Sequence, residues 1–506
     1  MATVEHPLAR QETMQRGPIS GSRWPRTILL TSVPVLCLAA LLYLAGCGQT
    51  ANPVTPAAAN QVNSYFGSPF GFGASSVSKF DHSVGQIGVT AFITTTAGGR
   101  VPAEILNGTF VTSPTGFLSV TENFATSSSG VISAQNPPLT GAWAVEIPGA
   151  GALANLLTPG AGVRGAPGAM AENSACPNFQ QSAPFLYVTV PNAAVTRNRA
   201  DYGAVGITTQ GSAVTLSAQP YLIGLQAGLP GAPTPTIVTG GCSDVFYGPL
   251  TAYPLNSFDT TSNVELIAIG QSGLLVSSFT AGSSGASPGA FGGGTGVIGM
   301  AAPSSPVDVS AVVSRRYNGF IYAPQNSVTA SYDITVLASA FGDNTANSQG
   351  CSSLQSSLAA NNGRGAMSVA ALPSANTLYG GEFRTTTGSV TVNDPTGAGA
   401  NGSENCDVAI DLGLEDSANN GLFRNATVFI GSNYPPFSAT NPWNCFGTTN
   451  VCAVSFPAAA VVGQVQGQYV IFVVASAASK PVAQLPNSQG TPIAQPVGIY
   501  LFQKPQ

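Results

Sequence analysis

The chain has 506 residues, 7% of them charged, and a formal net charge of −5. An ordinary globular chain carries about 25% charged residues, so solubility here must rest on Ser, Thr, Asn and Gln. No Lys/Arg run or basic patch exists, which excludes nucleic acid as a partner.

Three arginines, Arg16, Arg23 and Arg26, precede an uncharged run from Thr27 to Gly46. A basic segment followed by an apolar one is a secretory signal rather than part of a fold, and it assigns residues 1–46 to a leader. The run ends in Leu44-Ala45-Gly46-Cys47, which resembles the bacterial lipobox. Small residues before the cut let the backbone enter the protease, and the cysteine sulfur takes the lipid. The expectation is lipidation at Cys47, giving a membrane attachment through an N-terminal lipid. The alternative is an uncleaved helix that spans the bilayer. Gly48, rather than Asp, follows the cysteine and resembles an outer-membrane sorting signal, with the body periplasmic or surface-exposed. Residues 47–62 then read as the lipidated cysteine and a Pro/Ala/Thr-rich tether. Removing the four arginines and two glutamates before Cys47 leaves 12 basic and 19 acidic side chains in the exported part.

From residue 63 onward the recurring unit is a short apolar alternation bounded by Gly, Pro, Asn or Ser. "PFLYVTVPN" (184–192), "YGAVGITTQGSAVTLSAQPYLIG" (202–224), "NVELIAIGQSGLLVSSFTA" (263–281) and "GQYVIFVVASA" (467–477) share this form. β-branched and aromatic residues dominate them, as a half-buried pleated surface prefers. Gln210-Gly211 marks a hairpin turn. The fold class is all-β, with many short antiparallel strands. A β-propeller-like arrangement is preferred over a tandem of sandwiches or barrels, because so many strand edges need protection. The Gly-rich stretch 281–306 divides a β-rich region 63–300 from a second one, 301–506, and the two form either one body or two. "CSSLQSSLAANNG" (351–363) predicts one short helix. Echoes such as "GQSG" (270–273) and "GQVQGQ" (463–468) recur at irregular distances.

Cys176, Cys242, Cys351, Cys406, Cys445 and Cys452 form an even set in an oxidising compartment, which favours disulfides. Cys445 and Cys452 are close enough to clip one loop; sequential pairing is expected for the rest, Cys176 with Cys242 and Cys351 with Cys406. The alternative is that some stay reduced and buried. No CxxC occurs and His82 is the sole histidine after the leader, so zinc is not expected.

Catalytic patterns are weak. "GTGVIG" (294–299) is formally a dinucleotide fingerprint, but Pro303 and Pro306 follow where a helix must start, so it reads as loop and no cofactor is expected. His82 could serve as a base, yet "GQSGL" lacks the geometry of a nucleophile elbow, and a lone histidine is more often structural. Asp407, Asp411, Glu415 and Asp416 could offer oxygen ligands to Ca²⁺, without the spacing of an EF-hand; the bland reading keeps them as solubilising charges on an edge strand. Tyr434, Phe437 and Trp443 are candidate binding aromatics if exposed, and core caps if not.

Seven pieces, "GFLSVTENF", "GAWAVEIPG", "YGAVGITTQG", "IAIGQSGLLV", "RYNGFIYAP", "VVGQVQGQYVIFVV" and "GIYLFQ", occur in an order that resembles a family of uncharacterised bacterial lipoproteins. The resemblance covers residue 90 to the end. It implies an exported, lipid-anchored, β-rich protein and transfers no activity or site residue. Together these readings predict a non-catalytic envelope protein whose β scaffold serves adhesion or binds glycan or protein. A carboxylate-dependent secreted hydrolase and a purely structural envelope protein are the alternatives.

Overall fold

The computed structural model describes residues 62–69, 75–94, 100–112, 116–127, 132–134, 143–157, 166–172, 179, 181–191, 201–210, 213–223, 236–241, 243–244, 251–256, 264–279, 296–323, 334–341, 375–382, 408–431, 453–475 and 497–504. All of them fall in one compact unit, Ala51–Gln506.

The first run of strands is β1 (Val62–Pro69), β2 (Ser75–Asp81), β3 (Gln86–Thr94), β4 (Arg100–Thr112), β5 (Leu118–Ser127), β6 (Ile132–Ala134), β7 (Trp143–Ile147), β8 (Gly151–Leu157) and β9 (Ala166–Glu172). Neighbours pair antiparallel and β9 returns to β1. The β4–β5 ladder closes the ring, with β7 against the start of β5 and short β6 beyond it. The result is an eight-stranded up-and-down barrel with one extra short strand.

The second run repeats this plan with β10 (Ala183–Thr189), β11 (Tyr202–Gln210), β12 (Ala213–Tyr221), β13 (Thr236–Gly241), β14 (Ser243–Asp244), β15 (Thr251–Asn256), β16 (Val264–Ile269), β17 (Leu274–Phe279) and β18 (Val297–Ala301). β18 returns to β10. The sheet curls until β13 adjoins β15, without a ladder between them among the described residues.

The third run opens with a short helix, α1 (Val309–Val313), whose first turn is capped by the Asp308 carboxylate accepting from the Ala311 N–H at 3.1 Å. Its strands are β19 (Tyr317–Ala323), β20 (Ile334–Phe341), β21 (Thr377–Glu382), β22 (Val408–Asp411), β23 (Leu422–Gly431), β24 (Ala453–Val465), β25 (Gln468–Ala475) and β26 (Val497–Gln503), and they form a closed barrel. Val312 and Val313 of α1 pack into that barrel's interior cluster, and Tyr317 donates its hydroxyl to the Val312 carbonyl at 2.8 Å.

Alternation along each strand explains why these residues make barrels. One set of side chains points inward: Tyr65, Phe80, Val89 and Met170 in the first barrel; Phe185, Val205 and Leu275 in the second; Ile321, Val428 and Ile499 in the third. Eight strands leave an interior that side chains can fill. Outward positions such as Lys79, Ser217 and Gln464 are exposed. That apolar-in pattern is the inverse of a membrane-spanning barrel.

One face of each barrel is apolar on the outside too. Most of the strands concerned occupy the same places in each barrel, the first and the sixth to eighth, with Tyr202 of β11 and Leu422 of β23 added. They supply Phe66, Val145, Leu153 and Ala171, then Leu186, Leu274, Val276 and Met300, then Phe320, Val461, Phe472 and Tyr500, to a single shared core. β9 and β1 meet β16 and β17; β10 and β18 meet β24 and β25; β26 meets β7. The eighth-strand side of each barrel therefore rests on the sixth-strand side of the next, and the third barrel returns to the first. The molecule is a closed ring of three barrels.

The all-β expectation holds, but the propeller-like arrangement does not describe this chain. Strand edges are protected by closing the first and third sheets on themselves and by curling the second, rather than by radial four-stranded blades. The turn foreseen at Gln210-Gly211 joins β11 to β12, with Gln210 opposite Ala213. "GTGVIG" runs into β18 rather than a helix, with Gly296 at φ 105 just before the strand. The helix expected at 351–363 lies outside the described residues. Helix α1 was not foreseen; its signal is Asp308 set before Val309-Ser310-Ala311.

Candidate functional site

Glu146 is the acid that stands out. On β7, Trp143, Val145 and Ile147 face the shared core while Ala144 faces the interior of the first barrel. Alternation sends Glu146 inward with Ala144, where it is 7% exposed. A buried carboxylate is tolerated only when hydrogen-bonded, and three side chains, from β1 and the turn after β2, converge to do this. Asn63 on β1 donates its Nδ2 to Oε1 at 2.7 Å, and the Tyr65 hydroxyl donates to the same oxygen. His82, just past β2, places Nε2 2.8 Å from Oε2. Tyr65 in turn accepts from the Gly149 N–H at 3.0 Å, in a β7–β8 turn that a positive φ of 75° at Gly149 makes possible. Phe80 and Phe110 form an aromatic shelf beneath, edge-on to Tyr65 at 5.8 Å and to His82 at 5.3 Å respectively.

Electrostatics follow from this packing. Burial, then the Glu146 charge beside it, holds the Tyr65 hydroxyl well above its ordinary value. The hydrogen bond to Glu146 raises His82, against an opposing effect of burial. The set can hold a proton on His82 and a charge on Glu146 at the open end of a barrel. Asp81 faces the other way and binds its own turn, accepting from the Ser83 N–H at 3.0 Å.

The acidic stretch builds a loop. Asp411 accepts from the Gly413 N–H at 2.9 Å. Glu415 accepts from the Val307 N–H at 3.1 Å and from that of Gly421. Asp416 accepts from Ala418 and Asn419 and pairs with Arg424 at 2.7 Å. The three carboxylates turn to separate backbone donors. Among the described residues no group of three or more His, Cys, Asp or Glu is placed to hold a metal ion. Asp407, Cys47, Cys176, Cys242, Cys351, Cys406, Cys445, Cys452, Tyr434, Phe437 and Trp443 lie outside the described residues.

Two polar junctions between barrels were missed in the sequence. Glu172, at the end of β9, accepts from the Ser272 N–H at 3.2 Å, while Ser272 donates its hydroxyl to the Ala150 carbonyl, tying the β16–β17 turn to the first barrel. Partial burial raises the Glu172 carboxyl. Arg424 of the third barrel stands 4.4 Å over the Tyr221 ring of the second, which stacks on Tyr202; burial pushes the Tyr202 hydroxyl up to about 12. An acid at an inward position of an otherwise apolar strand, as in "AWAVEIP", is the signal that could have marked Glu146.

No family model matches the chain, and no curated protein matches it. Among solved structures, the comparison returns intact Ap-TbpB (N and C lobes), at 8% identity over 88% of this chain and 77% of that one, with a TM-score of 0.17. A score of that size carries no argument about fold or function.

Proposed function

We propose that this chain is an exported envelope protein, lipid-anchored at Cys47, whose three-barrel body is a non-catalytic scaffold that binds glycan or protein. The observation that carries the reading is how the described residues use their polar chemistry. The barrel interiors are filled by their own apolar side chains. The carboxylates Glu146, Glu172, Glu415 and Asp416 bind backbone or side-chain donors of the fold itself. Recognition then falls to the barrel ends and the long connections, as is usual for a rigid β framework. The lipobox, the low charge of the exported part and the resemblance of its pieces to a lipoprotein family support the address.

Intact mass of the membrane-extracted protein beside a Cys47→Ala variant tests the anchor. The expected wild-type mass is residues 47–506 plus acyl chains, with the variant unprocessed; a wild type retaining residues 1–46 without lipid defeats it. For the activity, the acylated protein is offered to arrays of surface glycans and to glycosidase and esterase substrates. Saturable glycan or protein binding without product is expected. Turnover that Glu146→Gln abolishes would make the protein an enzyme.

A further inference from the structure

We propose that the rim of the first barrel at which β1 begins docks on the lipid bilayer that holds Cys47. The inference rests on the lipid-anchor reading above. Five large apolar side chains are exposed among the described residues, and three of them, Val62 (55%), Val84 (59%) and Val111 (54%), stand at this one rim. Ile237 and Leu414, the other two, belong to the second and third barrels.

Strand register places the three together. Val62 opposes Asp81 where β1 meets β2. Val84 is in the turn from β2 to β3. Gln86 opposes Thr109, and the Phe110 N–H donates to the Gly85 carbonyl at 2.8 Å, which brings Val111 beside that turn. Four adjacent strands at about 4.8 Å spacing make an arc on the order of 15 Å. Asn63, His82 and Phe110, close to these valines in sequence, turn inward to the Glu146 network, so the arc presents the three valines outward among the exposed Ser83, Gln86 and Thr112.

Chain connection identifies the occupant. Cys47 is joined to Val62 through residues 48–61, and a random coil of that many residues has an end-to-end distance of about 20 Å. Among the described residues, Val62 is the nearest to Cys47 along the chain. β2 adds Lys79 and Asp81, one charge of each sign, which suits a zwitterionic headgroup layer better than an anionic one. Valines on a rim can enter the headgroup boundary without a spanning segment.

Acylated full-length protein carrying Val84→Trp or Ile237→Trp is reconstituted in phosphatidylcholine vesicles, with and without brominated acyl chains, and wild-type emission is subtracted. Val84 is an exposed turn residue, so its replacement leaves the fold intact. The expected result is blue-shifted V84W emission that brominated lipid quenches, with I237W neither shifted nor quenched. V84W emission matching I237W overturns the proposal. So does a blue shift that grows with protein concentration and ignores brominated lipid, since a second copy then covers the rim. Intact mass of the same sample separates the two readings: quenching without acyl chains keeps the docking rim and defeats the anchor, whereas acylated protein without quenching defeats the rim alone.

Discussion

Glu146 places a negative charge inside a wall of apolar side chains, and its neighbours exist to make that tolerable. Truncation by Glu146→Ala leaves Tyr65, Asn63 and His82 facing one another without an acceptor, and should cost about 3–5 kcal/mol in denaturant unfolding. Because the fold raises the proton affinity of His82 above its ordinary 6.5, its stabilisation is complete below pH 6.5 and fades as pH climbs through the raised value. The Tm deficit of His82→Gln should therefore be largest in mild acid and shrink at alkaline pH; an equal deficit at all pH values would contradict this. Glu172 also titrates upward, from 4.5, through burial. Its ionised form opposes folding, so Glu172→Gln should raise Tm near neutrality and change nothing below pH 4.5. Little of this was legible beforehand. His82 could be singled out because it is the sole histidine after residue 46, but its partner lies 64 residues away, and only barrel closure brings the two together.

At the scale of elements, the first and eighth strands of each barrel meet across a glycine. Gly67 on β1, Gly299 on β18 and Gly319 on β19 all lie where a first strand meets an eighth. A Cβ at any of them would collide with a backbone carbonyl of the opposite strand, that of Ala169, Leu186 or Tyr500. Gly319→Ala should force β19 away from β26 and cost about 1–3 kcal/mol or more, read as a lowered Tm; an unchanged Tm would show that the seam gives way easily. Individual strands were legible because alternation and turn residues are local, as the β11–β12 hairpin shows. "YVIFVV" in β25 even carries the mark of burial on both faces, since Ile471 and Val473 point into the barrel while Val470 and Phe472 point into the shared core. Closure was not legible. It depends on pairing β1 with β9, or β19 with β26, strands separated by a whole barrel of intervening chain, and no local pattern encodes such a register.

For the whole molecule, the shared core decides how it comes apart. Trp143 of the first barrel packs against Phe320 of the third at 5.5 Å, and Phe320 against Tyr500 at 5.2 Å. No barrel can leave without exposing the outward apolar faces of the other two, so calorimetry of the full chain should show one cooperative transition. Trp143→Ala should cost about 3–5 kcal/mol and loosen the first barrel from the third, broadening or splitting that transition; three separate melts in the wild type would refute the coupling. The ring has one more consequence, for tolerance to change. Its contacts fall mainly on the first and the sixth to eighth strands of each barrel, which pack head to tail around a closed circuit. Of the remaining strands, β11 and β23 reach the shared core through Tyr202 and Leu422, and Arg424 of β23 covers Tyr221 of β12. Lengthening a connection away from those contacts leaves most of the circuit untouched, and the third barrel runs from 317 to 503 where the first needs only 62 to 172. A chain so built can vary what it presents to its surroundings while conserving how it holds together.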